Sequence, residues 1–408
     1  MKVKALRFAL RQNLAIGVIL IAAAPAWAQL RPEPDALALA PRDLIDRLRA
    51  DPIAYFRFVN RPWIAQVCDA FANDMRDLPM VRLHGDAHIE QFAVTKDAWG
   101  LDDVDDSARG PAVVDMVRFL GSIDLVVRQR GWTAQREALF DHFFRGYRRG
   151  VTEPNSPTPQ PDIVGRLRAL APGSHAAFLA WGEMQMQPMT EVSLKGVVAG
   201  MDAVSRTVHS ERPDLPPGYL TVVRAGWLRM GVGSALDHKI LIRIQGPSAE
   251  PADDELVEAK ELRDLGGLRC LEEPPPDEHA RRVIVGARQL GRLRHDILAA
   301  GPDLVLPELV VRGRRLRELR DWWIRSWDPS YRELRLSDLR SVQDLAEIVF
   351  DTGMQLGASC LREETGCQAI SVMKGDPASV ARLERRIQNE ASRLVEQLLL
   401  GWKELGAR

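Results

Sequence analysis

The chain has 408 residues, 46% of them hydrophobic, with 55 Lys and Arg against 56 Asp and Glu. This balance argues against a general nucleic-acid binder, because such proteins gain affinity by neutralising phosphates with an excess of positive charge. The length predicts a large core divided between two lobes or domains.

The first 28 residues have the pattern of a signal peptide. An apolar run over residues 14–24 is followed by Ala26-Trp27-Ala28, and basic residues precede the run at Lys2, Lys4, Arg7 and Arg11. The pattern predicts cleavage after Ala28, a periplasmic or secreted protein, and no membrane span after cleavage. The mature chain would carry 51 basic and 56 acidic residues, a net charge of −5. A retained N-terminal anchor is the alternative.

An even number of cysteines in an exported chain permits disulfide bonds. The four are Cys68, Cys270, Cys360 and Cys367. The last two are closest in sequence and form one plausible pair, but the connectivity stays open.

The apolar spacing predicts an α+β protein with a small antiparallel β lobe and a larger helical lobe. Residues 29–42 are expected to be a linker, and residues 43–212 a helical lobe. A β-rich region is predicted over residues 213–325, including a helix over 280–300. Residues 326–408 are predicted to form helices that return to the helical lobe.

The most informative segment is the run from His84 to Gln91, His-Gly-Asp-Ala-His-Ile-Glu-Gln, between two apolar strands. Asp86 could act as a base toward a hydroxyl, and the amide oxygen of Gln91 could bind a hard cation. The alternative is a hydrogen-bonded turn that only joins the strands.

A cluster of carboxylates follows at Asp102, Asp103, Asp105 and Asp106. Carboxylates this close repel each other unless they are solvated or paired with cations, and Mg²⁺ or Mn²⁺ is a natural partner. An acidic surface turn is the alternative.

A Gly-rich segment between two predicted strands contains Gly231, Gly233 and Ser234, and Lys260 ends the next strand. Backbone amides of such a loop can approach phosphates, and a strand Lys can neutralise them. Hairpins also use glycine for the turn alone. Taken together, the three segments supply the parts of a phosphoryl-transfer site, with the catalytic loop preceding the Gly-rich lobe.

These motifs resemble the bacterial family called domain of unknown function 2252. The resemblance extends over about residues 51–362, and the residues that carry it are His84 to Phe92, Asp103-Val-Asp105, Gly110-Pro111, Asp115 to Arg118, Gly231 to Ser234 and Glu258 to Lys260. It implies a two-lobed, circularly permuted fold similar to protein kinases and aminoglycoside phosphotransferases.

The resemblance also implies roles for individual residues. Asp86 would be the catalytic Asp, Lys260 the phosphate-binding Lys, and Asp115 a brace for the catalytic loop, with His84 and His88 as further support. Gln91, Asp103 and Asp105 would bind the metal, although the family has Asn where this chain has Gln91. No partner for Lys260 is evident; Glu272, Glu273 and Glu278 are candidates.

Three functions are therefore expected in order of preference. The first is an exported phosphotransferase that uses ATP with Mg²⁺ or Mn²⁺ on a small molecule. The second is a non-catalytic ligand-binding protein on a degenerate kinase-like scaffold. The third is a metal-dependent hydrolase with His84, Asp86, His88 and Asp103 as ligands.

Overall fold

The computed structural model describes residues 29–74, 78, 80–170, 173–228, 236–272, 279–301, 310–311, 314–315, 322–359 and 376–407. Several sequence predictions lie outside these residues. They are the signal peptide over 1–28, the Gly-rich segment with Gly231, Gly233 and Ser234, the pair Cys360 and Cys367, and the candidate partners Glu273 and Glu278.

The N-terminal part of the described chain is helical. Its helices are α1 (Pro34–Leu39), α2 (Arg42–Ala50), α3 (Pro52–Phe58) and α4 (Asn60–Ala70). The stretch expected as a linker thus contains α1 and the first residue of α2. Helix α3 begins at Pro52 because Asp51 Oδ1 accepts the N–H of Ile53, which caps the helix N-terminus.

Two small antiparallel sheets follow. Strand β1 (Met80–Leu83) pairs with β4 (Ala108–Pro111), while β2 (Phe92–Val94) pairs with β3 (Trp99–Leu101) and with β13 (Arg332–Glu333). The turn over 84–91 therefore connects β1 to β2, and the acidic cluster connects β3 to β4. Both segments are held at strand ends.

Long helices form the largest apolar core. They are α5 (Val113–Arg130), α6 (Arg136–Thr152), α11 (Val342–Ser359) and α12 (Pro377–Ala407). Helices α6 and α11 approach closely at glycines: a Cβ added to Gly146 would lie 2.2 Å from the carbonyl oxygen of Phe350. A side chain there would push the two helices apart, so glycine is required.

The second part of the chain contains a six-stranded antiparallel sheet in the order β5-β6-β7-β8-β12-β9. Its strands are β5 (Met186–Gln187), β6 (Val222–Leu228), β7 (Lys239–Ile244), β8 (Glu255–Glu261), β9 (Leu298–Gly301) and β12 (Trp322–Ser326). The short strands β10 (Val310–Val311) and β11 (Arg314–Arg315) form a separate hairpin.

Helices α8 (His175–Gln185), α9 (Glu191–Glu211) and α10 (His279–Gln289) cover this sheet. Helix α7 (Asp162–Arg168) packs against α11 and β2 instead. Alternate residues of β7 face opposite sides, so Ile240 and Ile242 pack with Val197 of α9, whereas Leu241 packs with Phe178 of α8. The α+β prediction is confirmed.

The prediction of a helix over 280–300 is wrong for the second half of that range. Helix α10 ends at Gln289, and residues 298–301 form β9 instead. Leu290, Leu293 and Ile297 have helical spacing, but Gly291, two positions after the last helical residue, disfavours a longer helix.

A disulfide bond joins Cys68 of α4 to Cys270, 202 positions later. It connects the helical part to the segment between β8 and α10. Among the described residues, no helix combines the length and the hydropathy that crossing a membrane requires.

Candidate functional site

The turn after β1 depends on Gly85 and Asp115. Gly85 has a φ of +83°, and a Cβ at this position would lie 1.9 Å from the carbonyl oxygen of Asp106. Asp115, on the first turn of α5, accepts the N–H of His84 at 2.7 Å and of Gly85 at 2.9 Å. One buried carboxylate thus fixes two consecutive amides of the turn, as the bracing role requires.

His84 is used internally. Its Nε2 donates to the carbonyl oxygen of Asp102 at 2.8 Å, and its Nδ1 accepts the N–H of Asp86 at 3.3 Å. The ring therefore joins the turn to the acidic cluster. Both ring nitrogens are thus occupied by backbone groups, which leaves neither of them to bind a metal.

Asp86 is 4% exposed and forms an ion pair with Arg118 of α5. Both Nε and one terminal nitrogen of Arg118 donate to Asp86 Oδ1, at 3.0 and 2.8 Å. Burial alone would raise the pKa of Asp86, but the Arg118 guanidinium outweighs it and holds the pKa well below its usual range. Asp86 is therefore ionised.

Arg118 received no role from the sequence. It follows Asp115 by three positions, and residues at that spacing share one helix face, so a single face of α5 supports the turn. The guanidinium also stacks over the Phe56 ring at 3.5 Å from its centre. The helical spacing from Asp115 is the signal that could have identified it.

His88 and Gln91 lie on the other side of Asp86. His88 Nε2 is 3.7 Å from Asp86 Oδ2, and Gln91 Nε2 is 3.5 Å from the same oxygen. Burial lowers the pKa of His88 to about 4, so the ring is neutral at physiological pH.

Each carboxylate of the acidic cluster has a cationic partner from the second part of the chain. Asp102 pairs with Arg325, both Asp103 and Asp105 pair with Lys260, and Asp106 pairs with Arg263. The distance from Lys260 Nζ to Asp103 Oδ1 is 2.7 Å. The cluster is therefore a buried ionic junction between the helical part and the sheet, not a surface turn.

Two neighbouring carboxyls in this junction titrate in opposite directions. Against burial, Lys260 holds the pKa of Asp103 well below its usual range. Burial and the neighbouring Asp103 charge raise the pKa of Asp105 to about 7. Despite burial, the two carboxylates raise the pKa of Lys260. Lys260 is thus a permanent cation in this site.

The expected metal ligands do not converge. The Gln91 amide faces Asp86, while Lys260 holds Asp103 and Asp105. Asp105 Oδ1 is buried and accepts no hydrogen bond within the described part of the chain, so one oxygen there suits a hard cation. No group of three or more His, Cys, Asp or Glu side chains at metal-binding distances occurs among the described residues. Gln91, Asp103 and Asp105 therefore do not fit a common cation in this arrangement.

Lys260 lies on β8 opposite Lys239 of β7 and Trp323 of β12. Lys239 is 5% exposed, and burial, followed by the charge of Lys260, lowers its pKa. Of the three candidate partners for Lys260, Glu272 instead pairs with Arg109.

A cleft of about 740 Å³ opens in front of these lysines. Lys239, Lys260 and Asp103 line it, and so do Leu228 and the aromatic residues Phe178, Trp181, Trp327 and Tyr331. Further cations on its walls are Arg47, Arg57, Arg294, Arg325, Arg332 and Arg335. Within the described part of the chain, Asp86 and Gln91 are not part of the lining. The structure thus brings Lys260 and Asp103 together at the cleft and leaves Asp86 behind it.

The Gly-rich segment lies outside the described residues, but the strands around it end at this cleft. Leu228 is the last residue of β6 and Lys239 the first of β7, and both line the cleft.

Residues 44–169 match the family described as "Uncharacterized protein conserved in bacteria (DUF2252)". The matched segment is less than half of the chain and holds the turn, the acidic cluster and α5, so the resemblance to this family is confirmed. No curated protein and no solved structure matches the chain.

Proposed function

We propose that this protein, which resembles the DUF2252 family, is a kinase-like phosphotransferase that binds the phosphates of a nucleotide between Lys260 and Lys239. The observation that carries the proposal is the 2.7 Å contact between Lys260 Nζ and Asp103 Oδ1 at the cleft. It unites a strand Lys with the acidic segment behind the turn, as a phosphoryl-transfer site requires.

The chain order around Lys260 supports this proposal. Strands β6, β7 and β8 are adjacent and antiparallel, the Gly-rich segment lies between the first two, and α10 follows the third. Protein kinases place a Gly-rich loop before the strand that carries their phosphate-binding Lys, and a helix after it. The aromatic rings on the cleft walls suit a nucleobase.

One departure concerns the partner of Lys260. In protein kinases this Lys pairs with a Glu of the following helix. Helix α10 contains neither Asp nor Glu, and Asp103 and Asp105 take the place of that partner. Incoming phosphates would compete with these carboxylates for the ammonium group.

In the proposed reaction the acceptor hydroxyl oxygen attacks the terminal phosphorus, and the bond from that phosphorus to the bridging oxygen breaks. The hydroxyl proton passes to Asp86 or to water. Asp86 would orient the hydroxyl, since its low pKa makes it a weak base and phosphoryl transfer needs little base strength. The acceptor hydroxyl would approach Oδ2, because Arg118 donates twice to Oδ1 while Oδ2 has only the longer contacts with Gln91 and His88. ATP is the proposed donor, and Mg²⁺ or Mn²⁺ is tested with it.

A specific observation favours a second candidate, a non-catalytic ligand-binding protein. Asp86 is 4% exposed and does not belong to the described cleft lining. A ligand in the cleft would then touch Lys260 and Asp103 without reaching the expected catalytic group.

The metal-dependent hydrolase receives no comparable support, since both nitrogens of His84 are bonded to the backbone. An exported location remains part of the proposal. The disulfide between Cys68 and Cys270 supports it, because such bonds persist in oxidising compartments. ATP is scarce outside the cytoplasm, which also favours the second candidate.

The two candidates differ in turnover. The chain from Gln29 onward is incubated with labelled ATP, with and without Mg²⁺ or Mn²⁺, and phosphate release and transfer to small hydroxyl compounds are followed. A phosphotransferase turns ATP over and loses that activity in Asp86→Asn, whereas its affinity for ATP is retained. Binding without turnover in the wild type supports the second candidate, and neither binding nor turnover refutes both.

A further inference from the structure

We propose that Arg325 is a positioning residue that fixes the acidic cluster at the cleft relative to Lys260 on the sheet. It lies on β12, and its guanidinium binds one carboxylate beside Asp103 and another beside Lys260. The inference rests on the proposed function for its consequence in ligand binding. Its structural part can be tested without any ligand.

The geometry around Arg325 is that of a bridge. Nε donates to Glu258 Oε2 at 3.2 Å, and a terminal nitrogen donates to Asp102 Oδ2 at 3.0 Å. The three side chains are between 5% and 11% exposed. A buried cation between two buried carboxylates is strongly held, because removing it takes away the positive charge that the two share. Asp102 would keep only His295, whose Nε2 lies 3.6 Å from Asp102 Oδ1.

On one side the bridge reaches the turn through Asp102. The N–H of Asp102 donates to the carbonyl oxygen of Gln91 at 2.9 Å, and its own carbonyl accepts from His84 Nε2 at 2.8 Å. The next residue, Asp103, has a φ of +62°, a conformation that costs energy for a residue with a side chain. Fixing Asp102 therefore fixes both the turn and the direction of the Asp103 carboxylate.

On the other side the bridge reaches Lys260 through Glu258. The two residues are two positions apart on β8, so their side chains share one face of the sheet. Glu258 lies directly opposite Arg325 in the strand register, and Trp327 Nε1 donates to its Oε2 at 3.0 Å. Arg325, Glu258 and Lys260 all line the cleft.

Arginine is suited to this position in a way that lysine is not. The planar guanidinium presents separate N–H groups in fixed directions, whereas an ammonium group is a compact point charge on a flexible stem. Lysine at 325 would keep the charge and lose the simultaneous contact with Asp102 and Glu258.

The test compares Arg325→Met and Arg325→Lys with a matched control, Arg243→Met. Arg243 lies on the same sheet and also binds two carboxylates, Asp254 and Glu183, both at 2.7 Å. It is not among the described residues that line the cleft. Its loss should therefore destabilise the sheet without moving the turn.

The first measurement is hydrogen exchange of the full chain without ligand. In Arg325→Met the amides over 84–91 and 102–106 should exchange about tenfold faster or more, which corresponds to a loss of about 1.4 kcal/mol in local protection. Arg325→Lys should not restore slow exchange. Arg243→Met should leave these two segments as in the wild type. Unchanged exchange in Arg325→Met, equal acceleration in Arg243→Met, or full rescue by Arg325→Lys would overturn the proposal.

The second measurement is the affinity for ATP, which should fall about tenfold or more in Arg325→Met and stay unchanged in Arg243→Met. An affinity equal to that of the wild type in Arg325→Met overturns the positioning role at the ligand. If the wild type binds no ATP while the exchange results hold, the proposed function fails and the positioning of the turn by Arg325 stands.

Discussion

Lys260 Nζ lies 2.7 Å from Asp103 Oδ1, and this contact joins residues that are 157 positions apart in the chain. One residue belongs to the antiparallel sheet and the other to the connection between two small sheets in the helical part. Because Lys260 also binds Asp105, a single buried ammonium group pairs with two carboxyl groups. The contact makes the folding of the two parts interdependent.

Replacing Lys260 with Met should destabilise the fold. Asp103 and Asp105 would remain buried without their cation, and breaking such a pair from one side costs about 3–5 kcal/mol. Urea unfolding of the wild type and the variant measures the loss. The double variant Lys260→Met/Asp103→Asn should recover part of it, because one of the unpaired charges is removed.

The control is Lys195→Met, which breaks an exposed i,i+4 pair with Glu191. Such pairs contribute at most about 0.5 kcal/mol. If the two lysine variants lost equal free energy of unfolding, the Lys260 pairs would contribute no more than an exposed surface pair, which would contradict the prediction.

The ion pair between Arg118 and Asp86 should show strong energetic coupling. Asp86→Asn and Arg118→Met are each expected to cost about 3 kcal/mol or more, since each leaves the other group buried and uncompensated. The double variant should lose much less than the sum, as measured in a double-mutant cycle. Arg128→Met serves as the comparison, because this partly exposed arginine on the same helix binds the buried Asp124, which also pairs with Arg136. Additive losses in the cycle would contradict the pairing.

The disulfide between Cys68 and Cys270 should stabilise the chain by about 4 kcal/mol, because it closes a long loop in the unfolded state. The measurement is urea unfolding with and without a reductant. The double variant Cys68→Ala/Cys270→Ala should resemble the reduced wild type and should not respond to the reductant. A response in that variant would assign the effect to the other two cysteines.

His88 should make stability fall in mild acid. Its pKa is lowered from 6.5 to about 4 by burial, so the unfolded chain takes up a proton over that interval before the folded chain does. Above pH 6.5 both states carry a neutral His88, and its titration does not affect stability. Below pH 6.5 the free energy of unfolding falls by about 1.4 kcal/mol per pH unit until the pH approaches 4. His88→Gln removes this titration. The difference between wild type and variant, measured by unfolding from pH 4 to pH 7, should therefore depend on pH, and parallel curves would contradict the prediction.

Local patterns in the sequence were sufficient to predict most of the secondary structure. Strands β6, β7 and β8 and helix α11 form where apolar residues recur with the period of a strand or of a helix, because apolar periodicity reflects which face is buried. The predicted helix over 280–300 ends early, at Gln289. Leu293 and Ile297 are buried although they lie in an irregular segment, so their spacing resembled that of a helix.

The site was predictable only in part. The turn and the acidic cluster stand close together in sequence, so their proximity was expected. The cations that pair with the cluster include Arg263, just after β8, and Arg325 of β12, both more than 150 positions away in the chain. Only the sheet topology decides which cation meets which carboxylate. The same holds for the disulfide, where Cys68 pairs with a distant partner.

The most direct test of the proposed nucleotide site is calorimetric titration of ATP, with and without Mg²⁺, into the wild type, Lys260→Met and the control Lys195→Met. The account predicts saturable binding to the wild type and to the control, and at least about tenfold weaker binding to Lys260→Met, in line with the loss of a charged contact to phosphate. Absence of binding to the wild type, or equal affinity in Lys260→Met while that variant is folded, would contradict it.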